Sequence, residues 1–182
     1  EFYQSIADHY DDIFPLSDTL RKFLFSFGIM KEDFILDVGC ATGEVALYLA
    51  QYARNVTGID LDPNLIKIAN FKKDERGRDN VRFLVGDMND LDNIVSPGQF
   101  RLIACLGNTL VHLLSIDAIN DFFRKVSTVL SYDGLFVFQI LNYEKLLSQK
   151  TAELPLIDNN KITFERRYDH ETRKSLLAFN TS

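Results

Sequence analysis

The 182-residue chain has no tryptophan, only two cysteines, two methionines and three histidines, and no long apolar run. Each scarcity excludes something. Cys40 and Cys105 lie too far apart for a paired metal motif and are too few for a disulfide framework. They are expected to be buried, reduced small residues, and no metal site is expected. No stretch approaches the ~20 apolar residues of a membrane span. The opening "EFYQSIADHYDDIF" lacks the basic and apolar regions of a signal peptide and also lacks an initiator methionine. Positive charge is in deficit, with 20 Lys and Arg against 26 Asp and Glu. The net charge of −6 argues against a surface made for nucleic-acid backbones. What remains is an ordinary globular composition, 46% hydrophobic and 25% charged, long enough for one core. A cytoplasmic monomer or homodimer is expected, with no membrane or nucleic-acid partner.

The apolar pattern alternates between strand and helix. "DFILDVG", "NVTGID", "VRFLVGD", "FRLIACLG" and "LFVFQILN" are short continuous apolar runs, as expected of strands covered on both faces. Between them stand helical patterns. Residues 43–53 form one, Pro63 opens a second, and Ile116–Leu130 carries Ile119, Phe122, Phe123 and Val126 inward. Ahead of the strands, Tyr3–Phe14 reads as a short helix, and Ser17 caps another that ends at Gly28. The runs "KKDERGRDN" and "YDG" read as a solvated loop and a turn. This order predicts an α/β, doubly wound, Rossmann-like parallel sheet of five strands with right-handed crossovers. After Asn142 the period changes to two. "KITFERRYDHETRKSLLAFNTS" alternates on both sides of a polar turn and predicts an antiparallel hairpin. Residues 1–150 are therefore expected to be a ligand-binding core and 151–182 a lid or dimer-contact segment.

The first strand leads into "ILDVGCATGEVALYLA", a strand, a Gly-rich turn and a helix. A P-loop needs Gly-Lys-Ser/Thr, but Gly43 is followed by Glu44 and Val45. A dinucleotide fingerprint needs glycines at 39, 41 and 44, where the chain has Gly39, Ala41 and Glu44. The spacing Asp37, Gly39, Ala41, Gly43 fits D-x-G-x-(G/A)-x-G instead. Asp60 and Asp87 end the second and third strands, on the edge where open parallel sheets bind ligands. Acids at such places also serve as ordinary helix caps.

The turn resembles motif I of the class I S-adenosylmethionine-dependent methyltransferases. The resemblance covers about residues 1–145. It implies that S-adenosylmethionine (SAM) is the cofactor and that a methyl group is transferred to a nucleophile. Asp37 would supply negative charge near the cationic end of the ligand. The helix start after Gly43 would favour its carboxylate. Asp60 would accept from the ribose hydroxyls and Asp87 from the adenine amino group. The implied cofactor set is Tyr3, Asp37, Gly39, Cys40, Ala41, Gly43, Asp60, Leu61, Asp87, Met88 and Leu106.

"CLGNTLVHL" after strand four, "ILNYE" after strand five and "YQSIADHYDDIF" resemble the glycine N-methyltransferase-like group of small-molecule N-methyltransferases. That narrower resemblance implies a small acceptor, an amine by preference. It places Asn108 beside the transferring methyl and Tyr3 or Tyr10 over the cofactor, where Tyr10 could also touch the acceptor. His112, four residues after Asn108, reads either as a base near the substrate or as a helix-start histidine. The sequence departs from the class I pattern in one respect: five parallel strands and then the hairpin are found, and the usual sixth and reversed seventh strands are expected to be missing from the chain. Arg166 and Arg167 alternate along a strand, so at most one faces a site, and solvent is expected for both. His9 and His170 are expected to be exposed. Two other readings stay open: a methyltransferase for RNA or protein, and a SAM-binding module without activity. The Asn/Asp-Pro-Pro-Tyr/Phe motif of enzymes that act on planar nitrogens has no counterpart at Gly107-Asn108-Thr109-Leu110.

Overall fold

The computed structural model describes residues 6–148, 155–169 and 174–181. Tyr3 and His170 lie outside the described residues. The chain divides into two units.

The first unit comprises residues up to Ala7 and Leu16–Ile140. Five strands, β1 (Phe34–Val38), β2 (Asn55–Asp60), β3 (Val81–Val85), β4 (Phe100–Cys105) and β5 (Leu130–Phe138), form one sheet. Its order is β3-β2-β1-β4-β5. Every neighbouring pair is parallel. Successive residues feed opposite cores because strand side chains alternate. Ile35, Leu102 and Ala104 join one cluster with Leu24, Ala46, Leu47, Ile66 and Ala69, which brings in helices Asp18–Phe25, Glu44–Leu49 and Pro63–Glu75. Leu36, Val38 and Ile103 join the other with Leu91, Phe122 and Val126, from helices Leu91–Ile94 and Ile116–Val129. This is the doubly wound α/β fold that the apolar pattern predicts. Phe122 is fully buried, and truncating such a side chain to alanine costs about 3–5 kcal/mol.

Helix starts follow their caps. Ser17, Asp62 and Ser115 each accept a first-turn amide, from Leu20, Asn64 and Ala118. Two expectations are corrected. The helix from Pro63 continues to Glu75, so "KKDE" is helical rather than loop. Lys72 stays because its ammonium meets the Glu44 carboxylate at 3.1 Å, and Arg76 meets the same carboxylate at 2.6 Å. The "YDG" turn lies inside β5. The register there passes from Phe100↔Leu130 to Leu102↔Leu135, which bulges residues out of the ladder. Gly134 sits at the bulge, where a side chain would overlap the Phe100 carbonyl.

The second unit comprises Asp8–Pro15 and the chain from Leu141. It holds helices Tyr10–Ile13 and Tyr143–Ser148 and a separate antiparallel sheet. Its strands are β6 (Ile157–Asp158), β7 (Ile162–Asp169) and β8 (Lys174–Thr181), in that order. The hairpin runs from Ile162↔Thr181 to Asp169↔Lys174, as the period-two pattern predicts. Ile162 and Phe164 are fully buried, and Phe14 stands edge-on to Phe164 at 5.7 Å. The Asn159 amide donates to the Asp12 carbonyl at 3.0 Å, and Lys161 pairs with the Asp12 carboxylate at 2.9 Å. His9 is half-buried rather than exposed, with Nδ1 3.8 Å from Asp12. Arg166 is also half-buried, its guanidinium over the Phe164 ring at 5.8 Å. Among the described residues no helix is long and apolar enough to cross a membrane.

Candidate active site

The order of strands creates the site. From β1 the chain winds outward through β2 to β3, then crosses back to place β4 on the other side of β1. The crossovers on either side of β1 therefore diverge, and their carboxyl ends leave a crevice at this switch point. Asp37 lies in β1, in register with Gly58 of β2 and Ala104 of β4. Asp60 ends β2, and Asp87 follows β3 by two residues.

The turn after β1 is held by its own backbone. Gly39 and Cys40 donate to the Ile59 carbonyl at 2.8 and 3.0 Å. The Ala41 amide donates to Asp60 Oδ2 at 2.8 Å, and the Gly43 amide to the Cys40 carbonyl at 2.9 Å. Gly39, Ala41 and Gly43 have φ of 72°, 47° and 84°. Ala41 thus takes the left-handed conformation that glycine adopts without steric cost. A side chain at Gly39 would overlap Thr109, and one at Gly43 would overlap Phe83. Gly39 is therefore required by packing against Thr109, before any ligand is considered.

These amides decide what the turn can hold. A phosphate site needs free N–H groups, yet four amides of this turn are already bonded within the protein. What the turn presents is oxygen. Asp37 is 2% exposed, and its Oδ2 has no hydrogen-bond partner. Burial pushes its carboxyl up to about 7, and the Asp60 charge adds to that shift, while the Ala46 amide opposes it. Ala46 belongs to the first turn of helix Glu44–Leu49. One amide of the helix start is therefore engaged by Asp37. Asp60 is half-buried and also raised, chiefly by desolvation, with the Asp62 and Ala41 amides opposing. Its Oδ1 accepts from the Asp62 amide at 3.0 Å. An oxygen-rich turn with an unpartnered buried carboxyl oxygen fits a cationic ligand without phosphates, which describes SAM.

The remaining residues sort by position. Asp87 caps the short 3-10 helix Met88–Asp90, its Oδ1 accepting from the Asn89 amide and side chain, both at 2.8 Å. Met88 is half-buried and Leu61 is 68% exposed. Cys40 and Cys105 are free and buried, and burial raises both thiols, Cys105 to about 12. Leu106 is buried. Its carbonyl accepts from the Thr109 amide at 3.2 Å and from the Thr109 hydroxyl at 2.8 Å. Gly107 and Asn108 are consecutive left-handed residues, and His112 ends the 3-10 helix Thr109–His112 with its side chain exposed. Tyr10 belongs to the second unit, its ring 5.2 Å from that of Phe14. Asn142 caps helix Tyr143–Ser148 by accepting from the Lys145 amide at 2.9 Å.

Three supporting residues escape the sequence patterns. Thr109 sits over Gly39 and clamps Leu106. Gln139 accepts the Asn108 amide on its carbonyl at 3.2 Å and the Gly107 amide on its side chain at 3.3 Å. Glu44 ties the turn to the next helix through Lys72 and Arg76, whose charges outweigh burial and lower its pKa. A glycine demanding an uncluttered neighbour hints at Thr109. Nothing local points to Gln139, which lies about thirty residues away along the chain.

Residues 35–134 match a protein family described as a methyltransferase domain. A Geobacillus sp. (strain WCH70) protein named as a methyltransferase is 30% identical over 150 residues, covering 79% of this chain and 59% of its own. The 2-heptyl-1-hydroxyquinolin-4(1H)-one methyltransferase of Mycobacteroides abscessus is 29% identical over 124 residues, 68% of this chain and 50% of its own. The chain thus spans about half the length of these curated relatives. Among solved structures, the CcbJ methyltransferase from Streptomyces caelestis superposes with a TM-score of 0.72 at 22% identity, over 97% of this chain and 78% of its own. The family match runs from β1 into β5, and with the switch-point turn at its start it makes this chain a member of the class I SAM-dependent methyltransferase family.

Proposed function

We propose that the protein transfers the methyl group of SAM to a small-molecule nucleophile, an amine by preference. The observation that carries the reading is the β1 turn, whose Gly39, Cys40, Ala41 and Gly43 amides are bonded within the protein and which lies beside the buried Asp37 and half-buried Asp60 carboxyls. SAM, when bound, supplies an electrophilic methyl group on a sulfonium that is already a good leaving group. The chain's own task is then to hold, align and exclude water. Asp60 offers its remaining lone pairs to the ribose hydroxyls, and Asp87 accepts from the adenine amino group beside Met88. Asp37 and the Leu106 backbone face the methionine end. Asn108 and His112, on the loop after β4, serve the acceptor side. Tyr10, and a covering role for residues 151–182, belong to the same proposal and rest on the sequence.

The small acceptor is supported by three features. The net charge is −6. The loop after β4 lacks the motif used on planar nitrogens. The Mycobacteroides relative is named for a small heterocyclic substrate. The test is release of S-adenosylhomocysteine (SAH) from SAM by the full chain, against a panel of small amines, phenols, tRNA and peptides. Turnover on amines is expected, and turnover on tRNA or peptides alone would overturn the acceptor class. Asn108→Gly keeps the left-handed backbone while removing the side-chain amide. It should lower turnover about tenfold through lost alignment and leave SAM affinity unchanged.

A further inference from the structure

Asp37 presents a problem that SAM binding alone does not explain. Its carboxyl is at the centre of the sheet, 2% exposed, with Oδ2 unpartnered. An ionised carboxylate buried without a counter-charge is costly and avoids the cost by taking up a proton. The groups acting on it come from every side. Asp60 from the end of β2 is acidic. Cys40 from the turn and Cys105 from the end of β4 are neutral buried thiols. The Ala46 amide from the following helix is the opposing donor. The register partners, Gly58 and Ala104, bring no charge. These neighbours include no cation.

We propose that Asp37 is a proton-coupled seat for the cationic end of the cofactor: it holds a proton in the ligand-free protein and releases it to solvent as the ligand's positive charge arrives. The inference rests on the SAM reading above and goes beyond it. The exchange is balanced in charge. A neutral carboxyl loses one proton to the buffer, and the carboxylate left behind faces one incoming positive charge. Below the pH at which Asp37 titrates, the site is then not an unpaired buried charge in either state. Asp37 titrating at about 7 puts the exchange within physiological pH. Ligand-free protein is binding-competent only in the fraction already ionised, and apparent affinity scales with that fraction. Below that pH, binding costs a proton transfer. Above it, binding costs none.

The experiment is titration calorimetry of the full chain with SAH, whose ammonium is its one cation, at pH 6, 7 and 8. Each pH is run in two buffers of different ionisation enthalpy, so that protons released per ligand are counted directly. Roughly nine-tenths of a proton should leave at pH 6 and about a tenth at pH 8, with apparent affinity rising about tenfold between them. Asp37→Asn should release no proton through this group, and subtracting it removes any contribution from the ligand's own amine. Methylthioadenosine, which lacks the amino-acid end, should bind without proton release. Tight SAH binding with no proton release at pH 6 would overturn the coupling and leave the SAM site intact. Failure of both SAM and SAH to bind would overturn the SAM reading itself. If the Asn variant fails to fold, carbon NMR of the ligand-free wild type decides. An aspartate titrating near 7 supports the proposal, and all aspartates titrating in the ordinary range overturn it.

Discussion

The turn after β1 and the loop after β4 face the same crevice and are built in opposite ways. The first is buried or half-buried throughout residues 37–43 and bonded backbone-to-backbone into the end of β2. The second has Gly107 and His112 exposed, and it leads to Leu114, which is 94% exposed. Its bonds run to Thr109 within the loop and to Gln139 beyond β5. The difference matches the division of labour proposed above. One partner of the reaction is the same across a large family and can be met by a rigid turn. The other varies, and it is met by a loop that tolerates change.

The contrast between turn and loop is most easily broken at Asp60. Its carboxylate anchors Ala41 and Asp62 and is assigned to the ribose. Asp60→Ala should weaken SAM binding roughly a hundredfold or more, since each charge-assisted bond is worth about 1.5–3 kcal/mol. Calorimetry checks this, and unchanged affinity would remove the ribose assignment.

The next effect concerns stability and pH. Asp37 titrates in the folded protein at about 7 against an ordinary 3.8. Its pKa is raised, so its neutral form stabilises the fold fully below pH 3.8, and that contribution is lost as pH rises through 7. By pH 8 the loss amounts to as much as about 4 kcal/mol, because each tenfold change in proton affinity is worth about 1.36 kcal/mol. Asp37→Asn should therefore be more stable than wild type at pH 8 and nearly equal to it at pH 4, in urea melts of ligand-free protein. A pH-independent difference for the Asn variant would contradict the burial argument.

A smaller effect tests the contact between the turn and the loop. Gly39→Ala should cost about 2–4 kcal/mol, combining left-handed strain with overlap against Thr109. In a Thr109→Ala background the same change should cost about 1 kcal/mol less, because the overlap is relieved while the strain stays. Equal costs in both backgrounds, measured in urea melts, would show that the two segments are not in contact. Gly39→Val alone is accordingly a poor probe of cofactor contact, since it disturbs packing first.

The same contrast explains what is legible in the sequence. β2, Asn55–Asp60, and the helix from Pro63 are legible because local signals agree: an apolar run, then a capping acid, then proline at the first helical position. The β1 turn is legible because its chemistry sits within seven consecutive residues. The end of the Pro63 helix is not, because Lys72 and Arg76 look like solvated charges until Glu44, 28 and 32 residues away, is brought beside them. "YDG" looks like a turn because its strand is bulged there, which only pairing with β4 reveals. In the sequence Asp37 is a simple negative charge, because burial and the approach of Asp60 are properties of the folded sheet. Gln139 is invisible for the same reason.

What the β1 turn binds is the most direct test of all. Equilibrium titration of the full chain with SAM, SAH and ATP in parallel compares a cationic adenosyl ligand with a polyanionic one. The predicted result is saturable one-to-one binding of SAM and SAH with no detectable binding of ATP. ATP binding competitively with SAM, or binding alone, would contradict a turn that has four amides bonded within the protein and carboxyl oxygens beside it.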